Sequence, residues 1–194
     1  MNYHAAKAYI VDKLNRELSP KLTYHGIHHT YDVLEVTKQL CDLERIPVYE
    51  SMLLRTAVLF HDSGFIWTTS GHESRGCDLA REVLPKYDYS EEEIERICGM
   101  IMATKIPQSP KNKLEEIICD ADLDYLGRDD FYAIGETLFE ELKAFGVLET
   151  EEEWNKVQVN FISNHSYFTS TNKLRRAPRE QFYLKELKSI VAAY

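Results

Sequence analysis

Several features that would point to a secreted, membrane or multidomain protein are missing from this sequence. It has no Cys-x-x-Cys pair, no apolar run long enough to cross a membrane, no internal repeat and no low-complexity linker. Its four cysteines stand singly within helix-like patterns, which predicts reduced thiols and a cytoplasmic location. Charged and polar residues interrupt the apolar pattern at the N-terminus, so we expect neither a signal peptide nor a membrane partner.

An excess of positive charge is also missing. The chain has 23 Lys and Arg residues against 32 Asp and Glu residues, a formal net charge of -9, so we do not expect a nucleic acid polymer as partner. A length of 194 residues with 44% hydrophobic content is enough to bury the core of one domain spanning residues 1–194. The composition leaves the oligomeric state open.

Strand-type alternation is essentially absent, and helical periodicity follows the whole chain. We predict a single all-α bundle of roughly nine helices. The third helix is expected to run as far as Gly64, and the apolar stripe of the sixth from Leu114 to Tyr125. Capping boxes predict three helix starts: Ser70 with Glu73, Ser90 with Glu93, and Thr150 with Glu153.

Polar side chains interrupt three of these apolar stripes. His29 lies on the stripe of the second helix, His61 with Asp62 ends that of the third, and Asp122 lies within that of the sixth. Each alone is most simply a core polar group with its own hydrogen bonds. Together, two imidazoles and two carboxylates form a mixed nitrogen and oxygen set. Such a set suits Mn, Fe, Co, Ni or Zn, with Mg also acceptable.

The order and flanks of these residues resemble the HD superfamily of metal-dependent phosphohydrolases. The matching segments are Tyr-His-x-x-x-His-Thr, Leu-Phe-His-Asp-Ser-Gly, Gly-His-Glu and Cys-Asp-Ala-Asp-Leu-Asp-Tyr-Leu-Gly. The resemblance covers roughly residues 20 to 130, with the C-terminal helices of 131–194 expected to complete the pocket. The Asp-Ala-Asp-Leu-Asp segment and a later Asn-His-Ser-Tyr-Phe-Thr resemble an uncharacterised bacterial branch of that superfamily.

The resemblance implies a metal site formed by His29, His61, Asp62 and Asp122. Both the helical stripe and the family's Ala-Asp position select Asp122 over its neighbours Asp120 and Asp124, for which we expect supporting or solvent-exposed roles. Relatives with two metals add two histidines between the His-Asp pair and the final Asp. His72 matches the first of these places, but residues 101–105 offer no histidine at the second. We therefore predict one divalent metal ion per chain.

Three residues near the ligands are candidates for acid and base chemistry. His25 resembles the catalytic histidine of the His-x-x-x-His motif in cyclic-nucleotide phosphodiesterases of this superfamily, although a histidine at a helix start can also simply face solvent. His72 and Glu73 resemble the Gly-His-Glu of many members. Glu73 would either position the attacking water or complete the capping box with Ser70.

Phosphate recognition requires positive charge in an acidic protein. Lys105 follows the fifth helix, and Arg176 belongs to a basic run after the eighth, for which a solvated loop is the alternative. His165 and Tyr167 precede that run, and His165 could equally be a core histidine. We expect Lys105, His165, Tyr167 and Arg176 to contact the substrate.

The predicted function is therefore metal-dependent hydrolysis of a small phosphate ester, either a phosphomonoester or a phosphodiester, with nucleotides among the candidates. A metal-dependent nucleotide sensor without turnover is the alternative. A di-iron oxygenase of HD type would require further histidines that the chain lacks.

Overall fold

The computed structural model describes all 194 residues and contains ten α-helices and no β-strand, which confirms the all-α prediction. The helices are α1 (Tyr3–Glu17), α2 (Ile27–Leu43), α3 (Val48–Phe60), α4 (His72–Val83), α5 (Glu91–Ala103), α6 (Lys113–Asp122), α7 (Phe131–Ala144), α8 (Glu151–Asn164), α9 (Ser170–Arg175) and α10 (Ala177–Val191). Three short 3₁₀ turns connect them at Ser63–Ile66, Leu84–Tyr87 and Asp124–Gly127. The predicted count omits α9, whose 6 residues are too few for an apolar stripe to be visible.

The third helix is the centre of the larger core. It contacts α1, α2, α4, α5 and α6. Its C-terminal half is buried on every side, as expected for a helix whose sequence is apolar all round. A cluster of 32 buried side chains surrounds it, drawn from α1 to α6 and the turn between α4 and α5. Because α3 ends inside this core, the residues that follow it start from a fixed position.

The C-terminal helices pack around smaller cores. α8 and α10 lie against each other, and a cluster of nine buried side chains joins them to the start of α7 and the turn after α6. Tyr183 of α10 stacks on Phe131 of α7 with ring centroids 4.5 Å apart. A third cluster contains only Phe139, Leu148 and Trp154.

Several predicted boundaries are wrong by a few residues. α3 ends at Phe60, so His61 is the residue that caps it, and the chain reaches Gly64 through a 3₁₀ turn. α6 ends at Asp122, and Tyr125 belongs to the next 3₁₀ turn. A short apolar 3₁₀ turn after a helix continues the helical spacing of apolar residues. The sequence pattern therefore does not show where the α-helix ends.

Two of the three predicted capping boxes are present, at Ser90 with Glu93 and at Thr150 with Glu153. The box at Ser70 is wrong. Gly71 adopts a left-handed conformation with φ of 70° and is itself the N-cap of α4. The helix therefore begins one residue later than a capping box at Ser70 requires. The Glu73 side chain is buried and does not accept a hydrogen bond from the backbone of Ser70.

No helix combines the length and the apolar character needed to span a bilayer.

Candidate functional site

The four predicted metal ligands come together from three parts of the larger core. His29 lies in the first turn of α2, His61 and Asp62 follow α3, and Asp122 ends α6. Nε2 of His29 is 3.0 Å from Oδ1 of Asp122 and 3.5 Å from Oδ2 of Asp62. Nε2 of His61 is 3.2 Å from Oδ2 of Asp62 and 3.4 Å from Oδ1 of Asp122.

These separations suit one divalent ion. Ligand atoms about 2.1 Å from a metal lie roughly 3.0 Å apart at adjacent octahedral positions and roughly 3.4 Å apart in a tetrahedron. The four measured separations, from 3.0 to 3.5 Å, fall in that range. The ligand atoms of His29, His61 and Asp122 all lie within 4.8 Å of one another. Two nitrogen and two oxygen donors thus converge on one point.

Hydrogen bonds fix which nitrogen of His61 faces this point. Its Nδ1 lies 2.7 Å from the carbonyl oxygen of Val58, which can only accept, so Nδ1 carries the proton. Nε2 is then the nitrogen that faces the carboxylates, where it can hold either a proton or a metal ion. Both His61 Nε2 and Asp62 Oδ2 are buried without a hydrogen-bond partner. Buried polar atoms without a partner are costly in a core unless a cation binds them, so the residues present fit a metal ion.

The electrostatics of the cluster also favour positive charge. Burial alone would lower the pKa of His61, but Asp62 and Asp122 outweigh it and raise that pKa well above its ordinary value. Burial opposes ionisation of Asp122, yet His29 and His61 lower its pKa to about 2. The pKa of Asp62 is lowered further, chiefly by His61 against the effect of burial. Both carboxylates are therefore ionised at neutral pH.

His25 lies beside the metal ligands and is held by Glu141 of α7, a residue that the sequence analysis did not single out. Oε2 of Glu141 accepts the backbone N–H groups of Tyr24 and His25 at 2.8 and 2.9 Å, and Oε1 accepts Nδ1–H of His25 at 2.5 Å. Glu141 follows Ile134 and Leu138 at positions i+7 and i+3 of one helical face, the pattern that identified Asp122. That signal was available in the sequence.

This pairing sets the charge of His25. Burial lowers its pKa, but the hydrogen bond to Glu141 and the negative charges of Asp62, Glu141 and Asp122 outweigh burial and raise it. Burial likewise raises the pKa of Glu141, and the contacts with His25 and the two backbone amides lower it. The result is a charged pair in which Nε2 of His25 remains free to donate a proton.

His72 and Glu73 approach the ligands from the start of α4. Nδ1–H of His72 donates to the carbonyl oxygen of Thr69 at 3.2 Å, which leaves Nε2 at 3.5 Å from Oδ1 of Asp62. Oε1 of Glu73 is 3.7 Å from the same nitrogen. Phe65 stacks on both His72 and His25, with ring centroids 4.1 and 4.3 Å away, and the two imidazole centroids lie 6.4 Å apart. The three rings therefore form one aromatic cluster beside the predicted metal ligands.

Close backbone packing sets the position of α4. A Cβ atom at Gly64 would lie 1.9 Å from the carbonyl oxygen of His72, and one at Gly76 would lie 2.6 Å from that of Phe60. Neither position has room for a side chain. The two glycines thus bring α4 against the turn that carries His61 and Asp62.

Asp120 and Asp124 have structural contacts away from the metal ligands. Asp120 accepts the N–H groups of Phe168 and Thr169 at 2.7 and 2.9 Å and the Thr169 hydroxyl at 2.6 Å. Asp124 accepts Nε–H of Arg176 at 2.8 Å. Both carboxylates are buried and fasten the segment around α9 to the end of α6.

The structure brings none of the four predicted substrate contacts to the metal site. Arg176 is engaged by Asp124, and Tyr167 is fully buried with its hydroxyl donating to the carbonyl oxygen of Leu123 at 3.2 Å. Nδ1 of His165 pairs with the buried carboxylate of Glu180, and its ring lines a separate groove. Lys105 is exposed in another groove, beyond Thr104 and Ile106. Proximity in sequence does not determine which side of a helix end a side chain faces.

A cavity of about 230 Å³ opens beside the metal ligands. His25, Asp62, His72, Glu73 and Asp122 line one end of it. From there it extends between α7 and α8, and 12 of its 19 lining residues are hydrophobic. We call its far end, lined by Leu138, Leu142, Trp154, Val157, Phe161 and Ile162, the apolar chamber. The arrangement combines a metal-binding cluster, a proton donor and a space for an organic group.

Comparison with known proteins supports the fold. No family model matches the chain. A crystal structure described as a predicted HD superfamily hydrolase, from an uncultured Thermotogales bacterium, aligns with 96% of this chain and 91% of its own, with a TM-score of 0.63 and 17% sequence identity. The chain has an HD-domain fold. The HD resemblance noted in the sequence therefore holds at the level of the fold across nearly the whole HD domain.

One curated sequence relative adds a partial match to this HD domain. An uncharacterized protein of Clostridium beijerinckii (strain ATCC 51743 / NCIMB 8052) is 30% identical over 96 residues, which is 48% of this chain. The match spans 60% of the length of that relative.

Proposed function

We propose that this HD domain is a metal-dependent hydrolase that cleaves small phosphate esters. The observation that carries the proposal is the cluster of His29, His61, Asp62 and Asp122 beside an open cavity. In this cluster the buried acceptors His61 Nε2 and Asp62 Oδ2 have no other partner. These four residues would hold a divalent ion, which would supply Lewis acidity towards water and a phosphoryl oxygen. The structure with a similar fold is described as a predicted HD superfamily hydrolase, which supports hydrolysis as the type of reaction.

Residues of the chain itself account for the movement of protons. The raised pKa of His25 favours its protonated form, and its Nε2 donates a proton to the leaving oxygen of the ester as that phosphorus–oxygen bond breaks. Glu141 holds His25 in the required orientation and stabilises its positive charge. The buried carboxylate of Glu73, at the metal end of the cavity, orients the attacking water and takes its proton as the new phosphorus–oxygen bond forms.

The decisive experiment replaces Asp62 with Ala and measures both metal content and turnover. Asp62 contacts both His29 and His61, so its loss should remove most of the bound metal and abolish hydrolysis across a panel of phosphate esters. Asp42→Ala is the matched control, because Asp42 is an exposed aspartate at the far end of α2. Circular dichroism should show both variants helical.

Two results would contradict the proposal. Undiminished metal in Asp62→Ala would remove Asp62 from the ligand set. Absence of turnover in the metal-loaded wild-type protein, with any ester and any of the candidate metals, would favour a nucleotide sensor that binds without catalysis.

A further inference from the structure

The apolar chamber gives the cavity a chemical preference that the metal ligands alone do not. Leu138 and Leu142 of α7 lie one turn apart and face it, and Phe161 and Ile162 of α8 also contribute to its walls. The polar side chain of Gln158 lies among them. Apolar walls of this kind gain free energy by taking apolar surface out of water and offer little to a sugar or a chain of phosphates.

No lysine or arginine lines the cavity. Lys105 lies in a neighbouring groove, and Arg176 is paired with Asp124. The three carboxylates at the metal end would more than offset the charge of a divalent ion. No surplus of positive charge is left to bind a diphosphate or triphosphate, which normally requires arginine or lysine.

The size of the cavity limits the organic group. A cavity of about 150 Å³ lined by similar side chains accommodates a benzene molecule. The 230 Å³ here is enough for one ring together with a phosphoryl group at the metal end.

We infer that the substrate is a phosphomonoester whose alcohol part is a single aromatic ring or a branched alkyl group of that size, held in the apolar chamber. This inference rests on the proposed function for the phosphoryl end and goes beyond it for the alcohol. Nucleoside diphosphates and triphosphates are excluded as substrates, because the cavity has no surplus positive charge to bind their phosphates.

Binding of phosphonates, which cannot be hydrolysed at the carbon–phosphorus bond, tests the chamber separately from catalysis. Calorimetry with the metal-loaded protein should find benzylphosphonate bound at least about tenfold more tightly than methylphosphonate, because only the former buries a ring. Leu138→Phe, which fills the chamber, should reduce that preference to less than about threefold. Val157→Asp should do the same by placing a charge in the wall, and at 46% exposure Val157 tolerates a polar side chain.

Leu174→Phe is the matched control, because Leu174 is 81% exposed and lies outside the cavity. It should leave the preference unchanged. Turnover of phenyl phosphate, glycerol phosphate and ATP is measured in parallel, with phenyl phosphate expected to have the highest kcat/KM.

The outcomes separate the two proposals. A ring preference that both chamber variants remove, with no ester turned over, would refute the hydrolase proposal and leave the chamber established. Turnover with equal affinity for the two phosphonates, or a ring preference that neither variant alters, would overturn the chamber inference and leave the hydrolase standing. Binding of neither phosphonate, or a preference for ATP, would also overturn it.

Discussion

The two ends of the cavity differ in how they are built. The metal end is held by residues that enter from α2, the turn after α3 and α6, within a core of 32 buried side chains. The apolar chamber is formed by α7 and α8, which rest on clusters of nine and three buried side chains. A well-packed core fixes catalytic geometry, whereas thinner packing tolerates substitution. If the proposed site is correct, the difference implies that substitutions in the apolar chamber can alter the organic group without disturbing the predicted metal ligands.

The largest expected effect comes from removing the proton donor at the boundary between the two ends. His25→Ala should lower kcat by about two to four powers of ten, the usual contribution of a general acid. Metal content should remain, because His25 is not among the four converging ligands. Steady-state kinetics with elemental analysis measures both. The neighbouring exposed His28, changed to Ala, is the control, and equal losses in the two variants would remove His25 from the mechanism.

An intermediate effect should come from releasing the C-terminal helices. Asp120→Ala deletes the acceptor of three hydrogen bonds and leaves the amides of the half-buried Phe168 and the buried Thr169 without these partners. We expect the free energy of unfolding to fall by about 3 kcal/mol. Denaturant titration measures this change. Asp78→Ala, which removes only an exposed pair with Arg75, should cost less than about 1 kcal/mol. A similar cost for both would mean that Asp120 does not fasten the two regions.

A smaller effect, visible in the pH dependence of hydrolysis, should follow from Glu141→Gln. His25 acts as an acid only while protonated, so activity is present below its raised pKa and is lost as the pH rises through it. Removing the charge of Glu141 lowers that pKa and should move the alkaline limb of kcat to lower pH. If the alkaline limb of kcat does not move, a group other than His25 determines it. Glu140→Gln, an exposed neighbour on the same helix, is the control.

The sequence revealed the metal end far better than the chamber. His29, His61 and Asp122 interrupt apolar stripes, and the resemblance of their order and flanks to the HD superfamily implies that they form one site. The walls of the chamber consist of ordinary leucines and aromatics, which look the same whether they face a cavity or another helix. Their role depends on how far apart α7 and α8 lie, a tertiary distance that no local pattern encodes.

Charged residues were the hardest to place. The sequence analysis did not single out Glu141, and it expected Arg176 to contact the substrate. The structure pairs Glu141 with His25 and Arg176 with Asp124. Each pairing joins residues more than 50 positions apart. The fold determines which positively charged side chain lies beside a buried carboxylate. The sequence therefore shows which charged residues are available but not how they pair.

The missing side chains of Gly64 and Gly76 offer a way to disturb catalysis in this chain without replacing any predicted metal ligand. An alanine at 64 would push the start of α4 away from the turn that holds Asp62, and His72 and Glu73 would move with it. All four metal ligands would still be present. A chain with that single change would keep its metal and lose the alignment of the residues around it, becoming a pseudoenzyme that inspection of the ligands alone would miss.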